Sequence, residues 1–286
     1  MSISVSEDWQ AYPAPAKLNL FLHVVGRRED GYHLLQSVFQ LIDLADTIHM
    51  RLRPDDQIVH HNPLPDVPAE TDLTVRAARL LQTFSGVQKG VDLRVDKRIP
   101  MGGGLGGGSS DAATVLLVLN RLWGLNLSRK VLMELGLKLG ADVPFFIFGR
   151  NAFVEGVGEQ MKEIETPDCA YVVLHPPVHV STPAIFKDER LTRNTPLVKM
   201  RGLNDIDCRN DLQAVALGQH PLIAEYLAWL SQFGTARMTG SGSCVFTRCA
   251  SQGDADRVIS RLPDDMTGYS VRSVKQHQLR EFASDC

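Results

Sequence analysis

Pro100-Met101-Gly102-Gly103-Gly104-Leu105-Gly106-Gly107-Gly108-Ser109-Ser110 joins a predicted strand to a predicted helix. Six of the seven positions from Gly102 to Gly108 are glycine, and ordering such a run costs much conformational entropy. A loose linker is the plain alternative, and the flanks argue against it. Val91, Leu93 and Val95 alternate with polar residues and lead in as a strand. Ala112, Ala113, Leu116, Leu119 and Trp123 recur at helical spacing and lead out, with Ser109 and Ser110 placed to cap that helix. A strand, a glycine loop and a helix start in this order turn backbone N–H groups toward an anion.

Two phosphate motifs compete for the loop. Gly103 to Ser110 has Walker A spacing, but Ser109 stands where the lysine belongs. Gly102, Gly104 and Gly107 match GxGxxG, yet the dinucleotide fold needs a second strand ending in an acidic residue about 20 residues on. A helix from Ser128 to Leu139 is predicted there instead, so a nucleotide triphosphate is the better expectation.

Upstream, Ala16, Leu18, Leu20 and Leu22 alternate with Lys17, Asn19, Phe21 and His23, a strand with one mostly polar face. After a turn at Gly26 to Gly31, Tyr32 to Ile42 returns as a strand and Thr47 to Arg53 continues its period. Leu73 to Phe84 reads as a helix closed by Gly86. Downstream, Tyr171 to Leu174 is a short strand and His220 to Phe233 a helix with Pro221 in its first turn. Arg237 to Arg248 holds a glycine–serine turn and a strand, Asp254 to Leu262 a helix, and Tyr269 to Lys275 a last strand. Strands and helices without strict βαβ alternation predict an α+β fold in two lobes.

The 286 residues carry a net charge of −3 without a long run of one sign, which argues against nucleic acid or a membrane surface as partner. Five cysteines (Cys169, Cys208, Cys244, Cys249, Cys286) without a CxxC predict neither a disulfide framework nor a zinc site. The first residues lack a signal-peptide pattern and no apolar run approaches a membrane span. A cytoplasmic protein is expected.

Three blocks together narrow the class. They are Pro15-Ala16-Lys17-Leu18-Asn19-Leu20, the glycine loop, and Met238-Thr239-Gly240-Ser241-Gly242-Ser243-Cys244-Val245-Phe246. In order and spacing the chain resembles the superfamily of galactokinase, homoserine kinase, mevalonate kinase and phosphomevalonate kinase, over about Pro13 to Phe246. Arg27 to His33, Gly140-Ala141-Asp142-Val143-Pro144, Glu155 to Glu159, Ser181 to Phe186 and Asn210-Asp211-Leu212 are similar to one branch, which acts on a cytidine-diphosphate-linked methylerythritol. One departure stands out: Asp72-Leu73 replaces the usual Asn-Leu beside the adenine.

The resemblance implies a two-lobed small-molecule kinase fold with the catalytic cleft between lobes. Residues 1–160 would form an ATP-binding and catalytic domain, and residues 161–286 a substrate-side domain. It implies ATP and Mg2+, with transfer to the 2-hydroxyl of the small-molecule substrate, a step of the non-mevalonate isoprenoid route. A monomer or weak homodimer is expected. Asp142 is then the general base and Lys17 its charge partner; Pro100 to Ser110 hold the ATP phosphates. Asn19, Tyr32, His33, Val157, Thr182, Phe186, Gly240 and Ser241 would contact the acceptor. Aromatic rings at Tyr32 and Phe186 can stack on the flat faces of cytosine. Bland readings stay open beside these. Asp142 can cap a helix starting at Val143, Lys17 can be an exposed strand lysine, Ser109 and Ser110 can serve only as caps, and Gly240 to Gly242 can be a hairpin turn. Metal ligands are not legible. Another superfamily kinase would share the loop without needing Gly31-Tyr32-His33 or Phe186, and a regulatory module without chemistry would need neither Lys17 nor Asp142.

Overall fold

The computed structural model describes residues 8–65, 67–198 and 209–285. Strand β1 (Gln10–Arg27) pairs antiparallel with β2 (His33–Arg53), which carries the chain without a break through both segments read as separate strands. β2 also pairs with β4 (Gly90–Asp96) and β5 (Ala152–Glu155), and β6 (Gln160–Glu163) pairs with β5. β3 (Ile58–His60) lies parallel to β4 at the edge. In the second half β7 (Ala170–Leu174), β8 (Arg237–Met238) and β9 (Val245–Cys249) form an antiparallel set.

β10 (Gly268–Val274) is the seam between the halves. Gly268 to Arg272 pair with β7, and Ser273 and Val274 pair with Ile42 and Leu41 of β2. One ten-stranded sheet therefore runs through the molecule in the order β3-β4-β2-β10-β7-β9-β8, with β1, β5 and β6 attached at β2.

Helices α1 (Leu73–Ser85), α2 (Gly107–Leu122), α3 (Arg129–Leu137) and α4 (Val143–Phe148) belong to the first half. α2 is buried on every side from Ser110 to Asn120, the pattern of a central helix. Its neighbours Leu81, Leu93, Phe145 and Ile147 complete one apolar core. Helices α5 (Thr182–Lys187), α6 (Gln213–Gln219), α7 (Pro221–Leu230) and α8 (Gln252–Ile259) surround a second core against β7 and β9. Leu18, Phe21, Ile42, Val173 and Phe246 join the two across the sheet. The α+β expectation holds.

Helix α1 ends at Gly86 as its spacing predicts, and the residue that departs from the resemblance, Asp72, turns out to be its cap. Asp72 caps α1 by accepting from Thr74 and Val75 N–H, Gly86 closes it in the left-handed region, and Ser128 caps α3. Other readings change. α2 starts at Gly107 with Gly106 as its cap, inside the glycine run, so Ser109 and Ser110 are first-turn residues rather than caps. The polar face of β1 is not solvated: Lys17, Asn19 and His23 are buried, and the glycine loop and the turn after β8 lie across Lys17 and Asn19. α3 ends at Leu137, before Leu139. Cys169, Cys244 and Cys249 are free thiols, while Cys208 and Cys286 lie outside the described residues. Among the described residues no helix is long and apolar enough to cross a membrane.

Candidate active site

The glycine loop owes its shape to alternation. Gly102, Gly104 and Gly106 take φ of +70°, +75° and +75°, while Leu105 keeps a negative φ. Such alternation curls successive N–H groups toward one point, the geometry of an anion nest. The loop is held from two sides. Lys17 N–H donates to Leu105 O at 3.0 Å, and Cys244 N–H donates to Gly103 O at 3.1 Å. Some glycines are needed for protein packing rather than for a ligand. A Cβ on Gly103 would stand 2.5 Å from Cys244 Sγ, and one on Gly104 would stand 2.4 Å from Thr239 O. The segment Met238 to Phe246 is thus the clamp of the loop as well as a hairpin turn.

Beside the loop, β1 and α4 bring Lys17 and Asp142 together. Lys17 Nζ lies 3.4 Å from Asp142 Oδ2, with side-chain exposures of 3% and 33%. The ammonium also donates to Asn19 Oδ1 at 2.5 Å and sits 4.8 Å from the centre of the Phe39 ring. Asn19 is fixed in turn, donating through Nδ2 to Ser37 Oγ and through its backbone N–H to Thr239 Oγ1. Asp142 occupies the N-cap position of α4, but its side chain makes no capping hydrogen bond. Its carboxylate is left to face Lys17 and the cleft.

At the other end His33 stacks on Phe186, ring centres 5.0 Å apart and planes 29° from parallel. Phe186 is half-buried against the second core despite the charged residues that follow it. Tyr32 is 65% exposed on the rim. Thr182 Oγ1 and Ser241 Oγ are 2.7 Å apart, and Val157 N–H donates to Glu159 Oε2 at 2.6 Å.

A single cleft of about 1660 Å³ joins these ends. Lys17, Asn19, Tyr32, His33, Asp142, Val157, Thr182, Phe186, Gly240, Ser241 and the loop from Pro100 to Ser109 all line it. Ser110 does not: it is fully buried behind the wall, and its Oγ has no hydrogen-bond partner among the described residues.

Sequence reasoning missed several polar residues on the wall. Lys97 donates to Asp111 Oδ2 at 2.8 Å and to Asp46, directly beneath the loop. Burial opposes its charge, yet the two carboxylates outweigh that and hold the ammonium above its ordinary range. Burial pushes the Asp111 carboxyl up. Asp46 also accepts from Arg98 and Ile99 N–H, which fixes the approach to Pro100. Nothing in the order Asp96-Lys97-Arg98 distinguishes this from a solvated charge run. Arg193 was missed as well; it donates from Nε to His33 Nε2 at 3.1 Å. Asp72, where the resemblance departs, is committed locally. One oxygen caps α1 and the other lies 3.1 Å from His60 Nδ1. Burial works to raise its pKa, but the close His60 ring and the hydrogen bonds from Thr74 prevail and keep the carboxyl well below the usual range.

Comparison with known proteins agrees with this geometry. Residues 72–150 match the family model "GHMP kinases N terminal domain", and residues 195–267 match "GHMP kinases C terminal". The 4-diphosphocytidyl-2-C-methyl-D-erythritol kinase of Thiobacillus denitrificans is 58% identical over 96% of this chain and 99% of its own. A solved structure of 4-(cytidine 5'-diphospho)-2C-methyl-D-erythritol kinase superposes with a TM-score of 0.80 at 33% identity, covering 92% of this chain and 99% of that one. Homoserine kinase from Cytophaga hutchinsonii shares the fold, with a TM-score of 0.63 at 17% identity over 97% and 98% of the two chains. Fold alone would leave the acceptor class open, but identity of this extent along the whole chain does not, and the chain belongs to the 4-diphosphocytidyl-2-C-methyl-D-erythritol kinases within the GHMP kinase superfamily.

Proposed function

We propose that this chain transfers the γ-phosphoryl group of ATP to the 2-hydroxyl of 4-diphosphocytidyl-2-C-methyl-D-erythritol, with Asp142 as general base. The observation that carries the reading is the Lys17–Asp142 pair, 3.4 Å apart, between an anion-binding loop and an aromatic acceptor end. In this reading residues 1–160 hold the nucleotide and the catalytic pair, and residues 161–286 supply the far wall of the acceptor end. The product would feed the non-mevalonate route to isoprenoid precursors.

The loop N–H groups and the start of α2 receive the phosphates, where the backbone already points its donors. The acceptor oxygen forms a bond to the γ-phosphorus as the bond to the β-phosphate oxygen breaks, and ADP leaves. Its proton passes to Asp142. Lys17 faces both the carboxylate and the charge that builds on the transferring group. Because Lys17 is buried and already hydrogen-bonded to Asn19, it needs little reorganisation at that moment.

Magnesium fits the same end of the cleft. Asp111 lines it, and its Oδ1 is buried without a hydrogen-bond partner among the described residues, an oxygen of the kind a hard cation takes. Among the described residues no cluster of three or more His, Cys, Asp or Glu side chains could hold a metal ion. Magnesium on nucleotide phosphates needs only one or two protein oxygens, and Asp111 would supply one. When bound, it would offset phosphate charge.

The test is direct. The purified protein is incubated with ATP, magnesium and the cytidylylated methylerythritol, with mevalonate, homoserine and galactose as parallel acceptors, and ADP is followed. ADP formed with one of the other acceptors and not with the first would overturn the assignment.

A further inference from the structure

His33 lines the cleft and accepts a hydrogen bond from Arg193 at Nε2. A guanidinium has N–H donors and no acceptor, so the 3.1 Å bond from Arg193 Nε requires a lone pair on His33 Nε2. A neutral imidazole with a bare Nε2 carries its proton on Nδ1. The ring is kept neutral first by burial and then by the positive charges of Arg193 and Arg27, which hold its pKa below the ordinary histidine value. Arg193 is itself anchored through its other nitrogens. Its guanidinium donates to Leu191 O at 3.1 Å, to Phe186 O at 3.1 Å and to Asp188 O at 2.7 Å. One cation therefore orients the imidazole and also anchors the residue that stacks on it. Among the described residues no hydrogen-bond partner of Nδ1 is found, while His33 lines the cleft. That proton is available to a ligand.

We propose that Arg193 is a positioning residue for base specificity: by hydrogen-bonding Nε2 it locks His33 as the Nδ1–H tautomer, which pairs with N3 of cytosine and rejects uracil. The inference rests on the cytidine-recognising function proposed above. Cytosine N3 presents a lone pair, whereas uracil N3 carries a proton, so the locked donor would meet a second donor. A site built to hydrogen-bond one edge leaves its own group unpaired with the wrong one. The resulting preference for CMP over UMP is about ten- to a hundredfold, the range spanned by one unsatisfied buried group.

Two measurements test this. Nitrogen-15 NMR of the histidine-labelled protein at neutral pH, with His33 identified by its disappearance in His33→Gln, should show a bare Nε2 and a protonated Nδ1. A protonated Nε2 at His33 overturns the inference whatever the behaviour of Arg193→Met. Competition of CMP and UMP is then compared between the wild-type protein and Arg193→Met, with ATP affinity as the check on folding. The preference should fall to within a few-fold in Arg193→Met while ATP affinity is unchanged. An undiminished preference with intact ATP binding sinks the role of Arg193. Failure of the wild-type protein to bind CMP at all sinks the cytidine reading itself, a separate outcome from a wrong tautomer.

Discussion

Replacing Asp142 with asparagine separates chemistry from capping. Asparagine keeps the side-chain shape and is as good a helix cap as aspartate, so a purely capping Asp142 predicts no change in stability or turnover. The absent capping hydrogen bond and the 3.4 Å approach to Lys17 predict otherwise. An amide cannot take the hydroxyl proton, and a positioned base is typically worth about 10²–10⁴-fold, or about 3–5.5 kcal/mol of barrier. The fold should suffer little. Lys17 loses its carboxylate neighbour but keeps Asn19 Oδ1 at 2.5 Å, and Asp142 is a third exposed. Solvent screening at such a group leaves about 1 kcal/mol, a shift in Tm of about 2–4 °C for a chain of this size. The assay is ADP release at saturating ATP and acceptor, with thermal melting and calorimetric ATP binding in parallel. Expected are a collapse of kcat, an unchanged Kd for ATP and a nearly unchanged Tm. Turnover within about threefold of wild type, well below the general-base range, would refute the base assignment.

Five further outcomes follow from the structure. Lys17→Met, which keeps the buried stem and loses the charge, should cut kcat by about 10²–10³-fold with a nearly unchanged Tm. Lys17→Ala should in addition lose about 2 kcal/mol of stability through the cavity it leaves, measured by urea unfolding; equal stability of the two variants would contradict the burial. Gly106→Val should abolish nucleotide binding, because φ is +75° and a Cβ there stands 2.9 Å from Phe146 Cζ and 3.3 Å from Lys17 Cε; tight calorimetric ATP binding would contradict the cradle. Phe186→Ala should raise the acceptor KM and spare the ATP KM if the His33 stack forms the acceptor end as proposed; an unchanged acceptor KM excludes the aromatic pocket. Acid unfolding should reveal Asp92. Burial works to raise its carboxyl, but hydrogen bonds from His61, Arg51 and Arg53 outweigh that and hold it at about 2. A depressed carboxylate stabilises the fold above its unfolded value, and that stability is lost as pH falls from about 4 toward 2. Asp92→Asn should flatten that limb of the stability curve.

Short-range signals carried well from the chain to the fold. Gly86 and Ser128 are legible because caps act over three or four residues, and each does what its type and place imply. The glycine loop was legible as a strand-to-helix connection because alternation before it and helical spacing after it mark both flanks. Reading Ser109 and Ser110 as caps failed for the same reason that the loop works. Glycine can take the left-handed cap position itself, so the helix began three residues earlier than the serines indicated.

By itself, the sequence determined the class of the protein: the three glycine- and lysine-bearing blocks, their order, and the residue types of the site. It could not determine which side chains meet. Lys17 and Asp142 are 125 positions apart, and Arg193 and His33 are 160 apart. The alternation of β1 marks Lys17, Asn19 and His23 as a polar face, which in an isolated strand would face water. Only tertiary packing decides that the glycine loop and the Met238–Phe246 turn close over Lys17 and Asn19 and leave a buried ammonium beside one carboxylate. The same holds for Lys97 between Asp46 and Asp111, an ordinary charged stretch in the chain and a buried ion cluster in the fold. Periodicity is a property of neighbours along the chain, whereas burial of charge depends on what distant segments bring to meet it.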